Sequence, residues 1–187
     1  MPKFDLQDLA IDFVPGVASV FWPSFVEYQG LVYLEWSFSK SELAAIRQGK
    51  SHGDFDSDIA TYVAKAFGDR TGAEAFLSHT HILDLFRRDP EVWSEARSTY
   101  KRSHPHFKAA EKVGRTLAEM WFVKLCRDFP GDNFRVYYNR DDNPVVRFHR
   151  VYSGEPQWTD VEHGDAMKAF VLDSRPSGRS GLVMDRS

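Results

Sequence analysis

Apolar and polar residues alternate through residues 134–152, FRVYYNRDDNPVVRFHRVY, on both sides of a turn-forming segment. β-branched and aromatic residues favour strands, whereas Asn, Asp and Pro favour turns, so the pattern predicts a β-hairpin. Successive side chains of a strand point to opposite faces. When the apolar set faces a core, the opposite face carries a polar set: Arg135, Tyr137, Arg147 and His149.

A second β-hairpin is predicted near the N-terminus. Residues 25–28 and 31–36 are rich in Val, Tyr, Phe and Trp, and Gln29-Gly30 between them is typical of a two-residue hairpin turn. If this hairpin joins the same sheet, Tyr33 and Glu35 line the polar surface. Glu35 would then pair with an arginine or act as a general base.

Helical periodicity predicts a block of helices over residues 41–128. A capping box, in which Ser or Thr is followed three residues later by Glu, predicts three helix starts: at Ser39, at Thr71 with a helix to about Arg88, and at Thr159 with a helix to about Leu172. Further helices are predicted over 59–67, over 90–100 after Asp89-Pro90, and over 105–128.

The order of elements is strands, then helices, then strands. This order predicts an α+β fold, in which a mainly antiparallel sheet, built from the N-terminal hairpin and the hairpin 134–152, packs against helices 41–128. We expect a single domain over residues 1–172. The Ser-, Gly- and Arg-rich tail 173–187 is expected to be disordered.

Composition narrows the function classes. Cys126 is the only cysteine, so no internal disulfide can form, and a cytoplasmic setting is expected. No apolar run approaches the roughly 18 residues that cross a membrane. The net charge of −3 and pI near 6.2 disfavour a dedicated nucleic-acid binder. Residues 1–100 have a net charge of −6, and residues 101–152 have a net charge of +5. These two parts of the chain either attract each other within the fold or leave a basic surface for an anionic partner.

Two His-x-His pairs in the sequence are candidate metal sites. His79 and His81 fall inside a predicted helix, where positions i and i+2 lie about 200° apart, so they would not bind one ion together. His104 and His106 flank a helix-initiating proline, and a capping or surface role accounts for them. No metal or cofactor is predicted. Convergence with Asp54 or Asp56 leaves three residues as weaker metal candidates: His81, His104 and His106.

No nucleotide-binding, zinc-protease or serine-hydrolase motif occurs in the sequence. The polar set therefore becomes the candidate site, because arginine forks suit carboxylate or phosphate. The expected function is a binding or regulatory domain for an anionic small molecule or a protein partner, with Tyr33 as an added contact. The alternatives are an ordinary solvated sheet face, and a hydrolase or phosphoester-processing enzyme using His149 with Glu35 or a histidine-bound metal. A homodimer stays open, because fifteen Phe and five Trp can fill a core and also supply an apolar contact surface.

Overall fold

The computed structural model describes residues 14–49, 67–85, 90–94, 99–140, 143–158 and 170–174. The described helices are α1 (Val14–Phe21), α2 (Lys40–Arg47), α3 (Arg70–Leu77), α4 (Ile82–Leu85) and α5 (Pro105–Asp128). The described strands are β1 (Phe25–Tyr28), β2 (Leu31–Leu34), β3 (Thr80–His81), β4 (Trp93–Ser94), β5 (Thr99–Tyr100), β6 (Phe134–Asn139), β7 (Val145–Arg150) and β8 (Phe170–Asp173). The predicted α+β class is confirmed.

Within the described residues, β3, β7, β6 and β8 form an antiparallel sheet in that order, here called the main sheet. The predicted hairpin 134–152 is its centre, with Arg135 opposite His149 and Tyr137 opposite Arg147. The N-terminal hairpin also forms, with β1 paired to β2. Its turn residues Gln29 and Gly30 have φ values of 52° and 77°, the left-handed conformation of a two-residue hairpin turn.

The N-terminal hairpin is a ladder of its own and does not extend the main sheet within the described residues. β2 packs instead against α3 and against β7. The condition under which Tyr33 and Glu35 would line the polar surface is therefore not met.

The core lies between α5 and the apolar face of the main sheet. Leu117, Trp121 and Leu125 of α5 are fully buried against residues such as Val136 and Phe148. The helix approaches the sheet closely at Gly114, where an added Cβ would lie 2.5 Å from the Tyr138 ring. The predicted bounds of α5 are confirmed, because His104 accepts the His106 N–H at the N-cap and Pro105 occupies the first turn.

Helix α3 completes the edge of β7 beyond the short strand β3. Ser78 Oγ accepts from Phe148 N at 2.8 Å and donates to Phe148 O at 2.9 Å. One helical turn earlier, Glu74 Oε2 accepts from Arg150 N at 2.5 Å. Side chains four residues apart share a helix face, so α3 supplies polar partners to backbone groups of a strand that would otherwise lack them.

Strand pairing contradicts the predictions for three helices over part or all of their described residues. The helix predicted from Thr71 to about Arg88 ends at Leu77, and Thr80–His81 pair with β7. The helix predicted over 90–100 is a 3₁₀ turn followed by the β4–β5 ladder, where the rings of Trp93 and Tyr100 meet at 4.9 Å. Of the helix predicted from Thr159 to about Leu172, residues 170–172 belong to β8, and residues 159–169 lie outside the described residues.

The main sheet extends one residue into the tail that was expected to be disordered. Asp173 belongs to β8 opposite Arg135, and Ser174 Oγ accepts from Phe134 N at 2.7 Å. The rest of that tail, 175–187, and the predicted helix 59–67 lie outside the described residues. No described helix is both long and apolar enough to span a membrane.

Candidate functional site

The four residues of the predicted polar set share one face of the main sheet, as expected. The register places Arg135 opposite His149 and Tyr137 opposite Arg147, and directly paired residues of antiparallel strands share a face. This polar face is not solvated. Arg135, Tyr137 and His149 are only 5%, 2% and 2% exposed, which overturns the alternative of an ordinary wet sheet face for these three residues.

Two closed interactions occupy the middle of the polar face. Arg135 Nε donates to Asp173 Oδ2 at 2.7 Å. The Tyr137 hydroxyl meets His149 Nε2 at 2.9 Å, and His149 Nδ1 donates to the Arg150 carbonyl at 2.7 Å. Since a carbonyl can only accept, Nδ1 carries the proton and Nε2 accepts from the tyrosine. Burial lowers the pKa of His149, so the imidazole is neutral with both nitrogens engaged.

Two other predicted site residues lie away from the polar face. Glu35 stands in the 3₁₀ turn after β2, where its Oε1 contacts Arg47 Nη2 at 2.5 Å. Tyr33 is buried in a separate apolar cluster, with Phe38 and Leu43. The structure therefore does not assemble the Glu35 and His149 pair proposed as a catalytic alternative, because the N-terminal hairpin packs on α3 rather than beside β6 or β8.

An open cleft of about 500 Å³, here called the histidine cleft, lies at the β3 side of the polar face. It is lined by His79, His81, Asp84, Tyr100, Arg102, Asn143, Val145 and Arg147. The prediction that His79 and His81 diverge around a helix is wrong. His79 follows α3 and His81 lies in β3, so the rings are neighbours with centroids 4.4 Å apart.

The electrostatics of the histidine cleft are set by burial and by positive neighbours. Burial, then the charges of Arg147 and His81, lower the pKa of His79 from 6.5 to about 4. Arg147 itself extends over the Trp158 ring, at 5.5 Å from its centroid. His81 Nδ1 is buried and has no hydrogen-bond partner among the described residues. The histidine cleft is therefore accessible and combines a ring nitrogen that can form a hydrogen bond with a positive potential.

A smaller cleft of about 250 Å³, here called the loop cleft, lies between Arg135, His149 and the segment 151–157. It already contains a carboxylate. Glu155 Oε2 accepts from Thr71 N at 2.8 Å, and Glu155 Oε1 accepts from Arg70 Nε at 2.7 Å. Burial acts to raise the pKa of Glu155, but these hydrogen bonds outweigh it and lower the pKa. The Glu155 carboxylate therefore occupies these hydrogen-bond donors at the start of α3.

Within the described part of the chain, the remaining metal candidates, His104 and His106, do not assemble a metal site. His104 caps α5 through its Nδ1, and His106 is exposed in the first turn of the helix. Among the described residues, no group of three or more His, Cys, Asp or Glu side chains is placed to hold a metal ion. Asp54 and Asp56 lie outside the described residues.

Sequence reasoning missed Glu74, the most deeply buried carboxylate described. It was assigned to a capping box with Thr71, but Asp69 caps α3 by accepting the Gly72 N–H. Glu74 instead accepts from Val32 N at 2.6 Å, Arg150 N at 2.5 Å and the Tyr152 hydroxyl at 2.7 Å. Burial raises its pKa from 4.5 to about 7, although the hydrogen bonds oppose the shift.

No protein-family model, curated protein or solved structure matches this chain. The site therefore has to be judged on its own geometry. Of the predicted polar set, Arg147 lines the histidine cleft, Arg135 and His149 line the loop cleft, and Tyr137 lies paired between them. His79 and Arg102 were not predicted as ligand contacts. The i and i+2 spacing of the two histidines is the signal that could have indicated a shared site. The helix predicted over these residues led to the opposite conclusion.

Proposed function

We propose that this chain is a binding protein for a small anion, held in the histidine cleft with Arg147 as its principal contact. The observation that carries the proposal is the composition of that cleft. Arg102, Arg147 and two imidazoles line it, against one carboxylate, Asp84, among the described lining residues. A guanidinium offers paired donors that match a carboxylate or a phosphate.

The positive potential is supported by the behaviour of His79. Burial is the largest cause of its lowered pKa, and the charges of Arg147 and His81 lower the pKa further, so these two neighbours contribute a positive potential that favours an anion. The loop cleft supports anion binding less well, because Glu155 already occupies its donors. A hydrolytic role for His149 has weaker support than binding, since both of its ring nitrogens are engaged. A cytoplasmic setting fits the single Cys126.

The test is titration with sulfate, inorganic phosphate and acetate at low ionic strength, followed by calorimetry and by NMR of the histidine side chains. We expect binding that shifts the His79 and His81 signals and weakens with added salt. Arg147→Ala should weaken it by about tenfold or more, the value of a charged hydrogen bond.

The matched control is Arg127→Ala, which removes an exposed arginine from the last turn of α5. Its affinity should equal that of the wild type. Failure of all three anions to bind, or equal binding by wild type and Arg147→Ala, would overturn the proposal. In that case the histidine cleft, with Arg102 and Arg147 in its lining, would be tested next as a surface for an acidic protein partner.

A further inference from the structure

Both rings of the His79–His81 pair can contact one ligand, which binding of an anion by Arg147 does not require. The two rings lie at 4.4 Å between centroids and are tilted by 44°, close enough for one small ligand to touch both. They come from the loop after α3 and from β3, whose pairing with β7 fixes His81 opposite Val145. Both line the same accessible cleft as Arg147.

After burial, the charges that face the pair act on the protonation of His79. Arg147 approaches from β7, Arg102 follows β5, and Asp84 belongs to α4, with the Tyr100 hydroxyl also in the lining. In the empty cleft, burial and the neighbouring positive charges hold the pKa of His79 near 4, so this imidazole is neutral at pH 7. A ligand with two negative charges would reverse the sign of the local potential, because Coulomb energy scales with charge.

We infer that the histidine cleft selects dianions, such as phosphate esters or sulfate, and that His79 takes up a proton from solvent when a dianion binds. The inference rests on the proposed function and names its ligand class. A monoanion is neutralised by Arg147 and leaves the His79 imidazole uncharged. A dianion has a second charge that an imidazolium can meet, with a charge-assisted hydrogen bond from the same ring.

Sulfate and perchlorate form a suitable pair of probes. Both are tetrahedral, and near neutral pH sulfate is a dianion and perchlorate a monoanion, so neither exchanges protons itself. Calorimetry at pH 7 in two buffers of different ionisation enthalpy counts the protons taken up. We expect uptake approaching one proton with sulfate, none with perchlorate, and at least about tenfold weaker perchlorate binding.

The pH dependence should follow from the same uptake. Between the pKa of His79 in the empty cleft and its higher pKa in the complex, lowering the pH should strengthen sulfate binding by up to about tenfold per pH unit. The double variant His79→Gln with His81→Gln should bind sulfate more weakly, take up no proton and lose this pH dependence.

The chain supplies a matched control in its other His-x-His pair, which lies at the start of α5. His104→Asn with His106→Gln removes two imidazoles outside the cleft while Asn keeps an N-cap acceptor. Its proton uptake should equal that of the wild type. Sulfate binding without proton uptake, or uptake that survives in the His79 and His81 double variant, would overturn the inference and leave the proposed function standing. Absence of sulfate, phosphate and acetate binding would overturn both.

Discussion

Glu74 and His79 belong to the same short segment along the edge of β7, and burial moves their pKa values in opposite directions. Burial disfavours the charged form of any group, so it raises the pKa of the acid and lowers that of the imidazole. The two side chains differ first in how far they are buried. Glu74 is fully enclosed, whereas His79 is only partly buried and lines an open cleft.

The second difference is in hydrogen bonding. Two backbone N–H groups and one hydroxyl, from β2 and from the end of β7 and the residues after it, converge on the Glu74 carboxylate. The His79–His81 pair instead faces arginines, and His81 Nδ1 has no partner among the described residues. A perturbed pKa therefore does not by itself mark a functional group. A completed hydrogen-bond set indicates a structural role, and unused capacity in a cleft indicates a binding role.

Removing the Glu74 carboxylate should have the largest effect on stability. Glu74→Ala leaves Val32 N–H and Arg150 N–H without their buried acceptor, whereas the Tyr152 hydroxyl keeps Gly30 O as an acceptor. Each lost partner costs about 1–3 kcal/mol, so we expect the free energy of unfolding in urea to fall by about 3–5 kcal/mol. Glu119→Ala, at an exposed position of α5, should change it by less than about 0.5 kcal/mol. A Glu74→Ala loss below about 1 kcal/mol would contradict the structural role.

The pH dependence of stability should distinguish Glu74 from an ordinary carboxylate. Its folded-state pKa of about 7 lies above its ordinary value of 4.5, so the folded chain binds the extra proton between these values. The stabilisation that protonated Glu74 provides is fully present below pH 4.5 and is lost as the pH rises through about 7. The loss is on the order of 3 kcal/mol between pH 5 and 8.

The comparison variant is Glu74→Gln, whose amide does not titrate. The difference between wild-type and variant unfolding free energies isolates the Glu74 contribution from that of His79, which has the opposite sign. The network accommodates the protonated acid, because Tyr152 can accept from Glu74 and turn its own O–H to Gly30 O at 3.0 Å. Parallel pH profiles for the two proteins would show that Glu74 stays ionised.

Two tyrosines near Glu74 separate a completed hydrogen bond from an incomplete one. Tyr152→Phe removes a donor to the carboxylate and should lower the free energy of unfolding by about 1–2 kcal/mol. The Tyr33 hydroxyl is buried without a hydrogen-bond partner among the described residues, so Tyr33→Phe should be neutral within about 0.5 kcal/mol or stabilising. Equal losses from the two variants would mean that Tyr33 has a polar partner in solution.

Local patterns predicted the parts of the fold whose signals agree with their surroundings. Helix α5 has a proline-containing start, a long apolar face and a Pro-Gly stop, and both hairpins have turn residues between alternating strands. The polar face followed from alternation alone. These are short-range signals, and nothing in the tertiary structure opposes them.

The histidine cleft and the Glu74 site could not be predicted because long-range pairing decides both. Phe76, His79 and Leu83 are spaced like one face of a helix, yet α3 ends at Leu77 and Ser78 bonds the backbone of Phe148. Glu74 matches a capping box, but Asp69 is the better-placed cap and the carboxylate turns toward two strands. Local helix propensity predicts structure poorly where the edge of a strand needs hydrogen-bond partners from elsewhere in the chain.

The smallest predicted effect concerns the charge on His79. Arg147 is the second cause of its lowered pKa, after burial, so Arg147→Ala should raise the pKa of His79 while leaving it below the ordinary 6.5. A pH titration of the His79 ring signals by NMR measures this directly. Arg127→Ala should leave the His79 titration unchanged. If Arg147→Ala also left it unchanged, burial and His81 would account for the shift without Arg147. The cleft would then lack the positive potential on which dianion binding depends, and His79, like Glu74, would have a structural role.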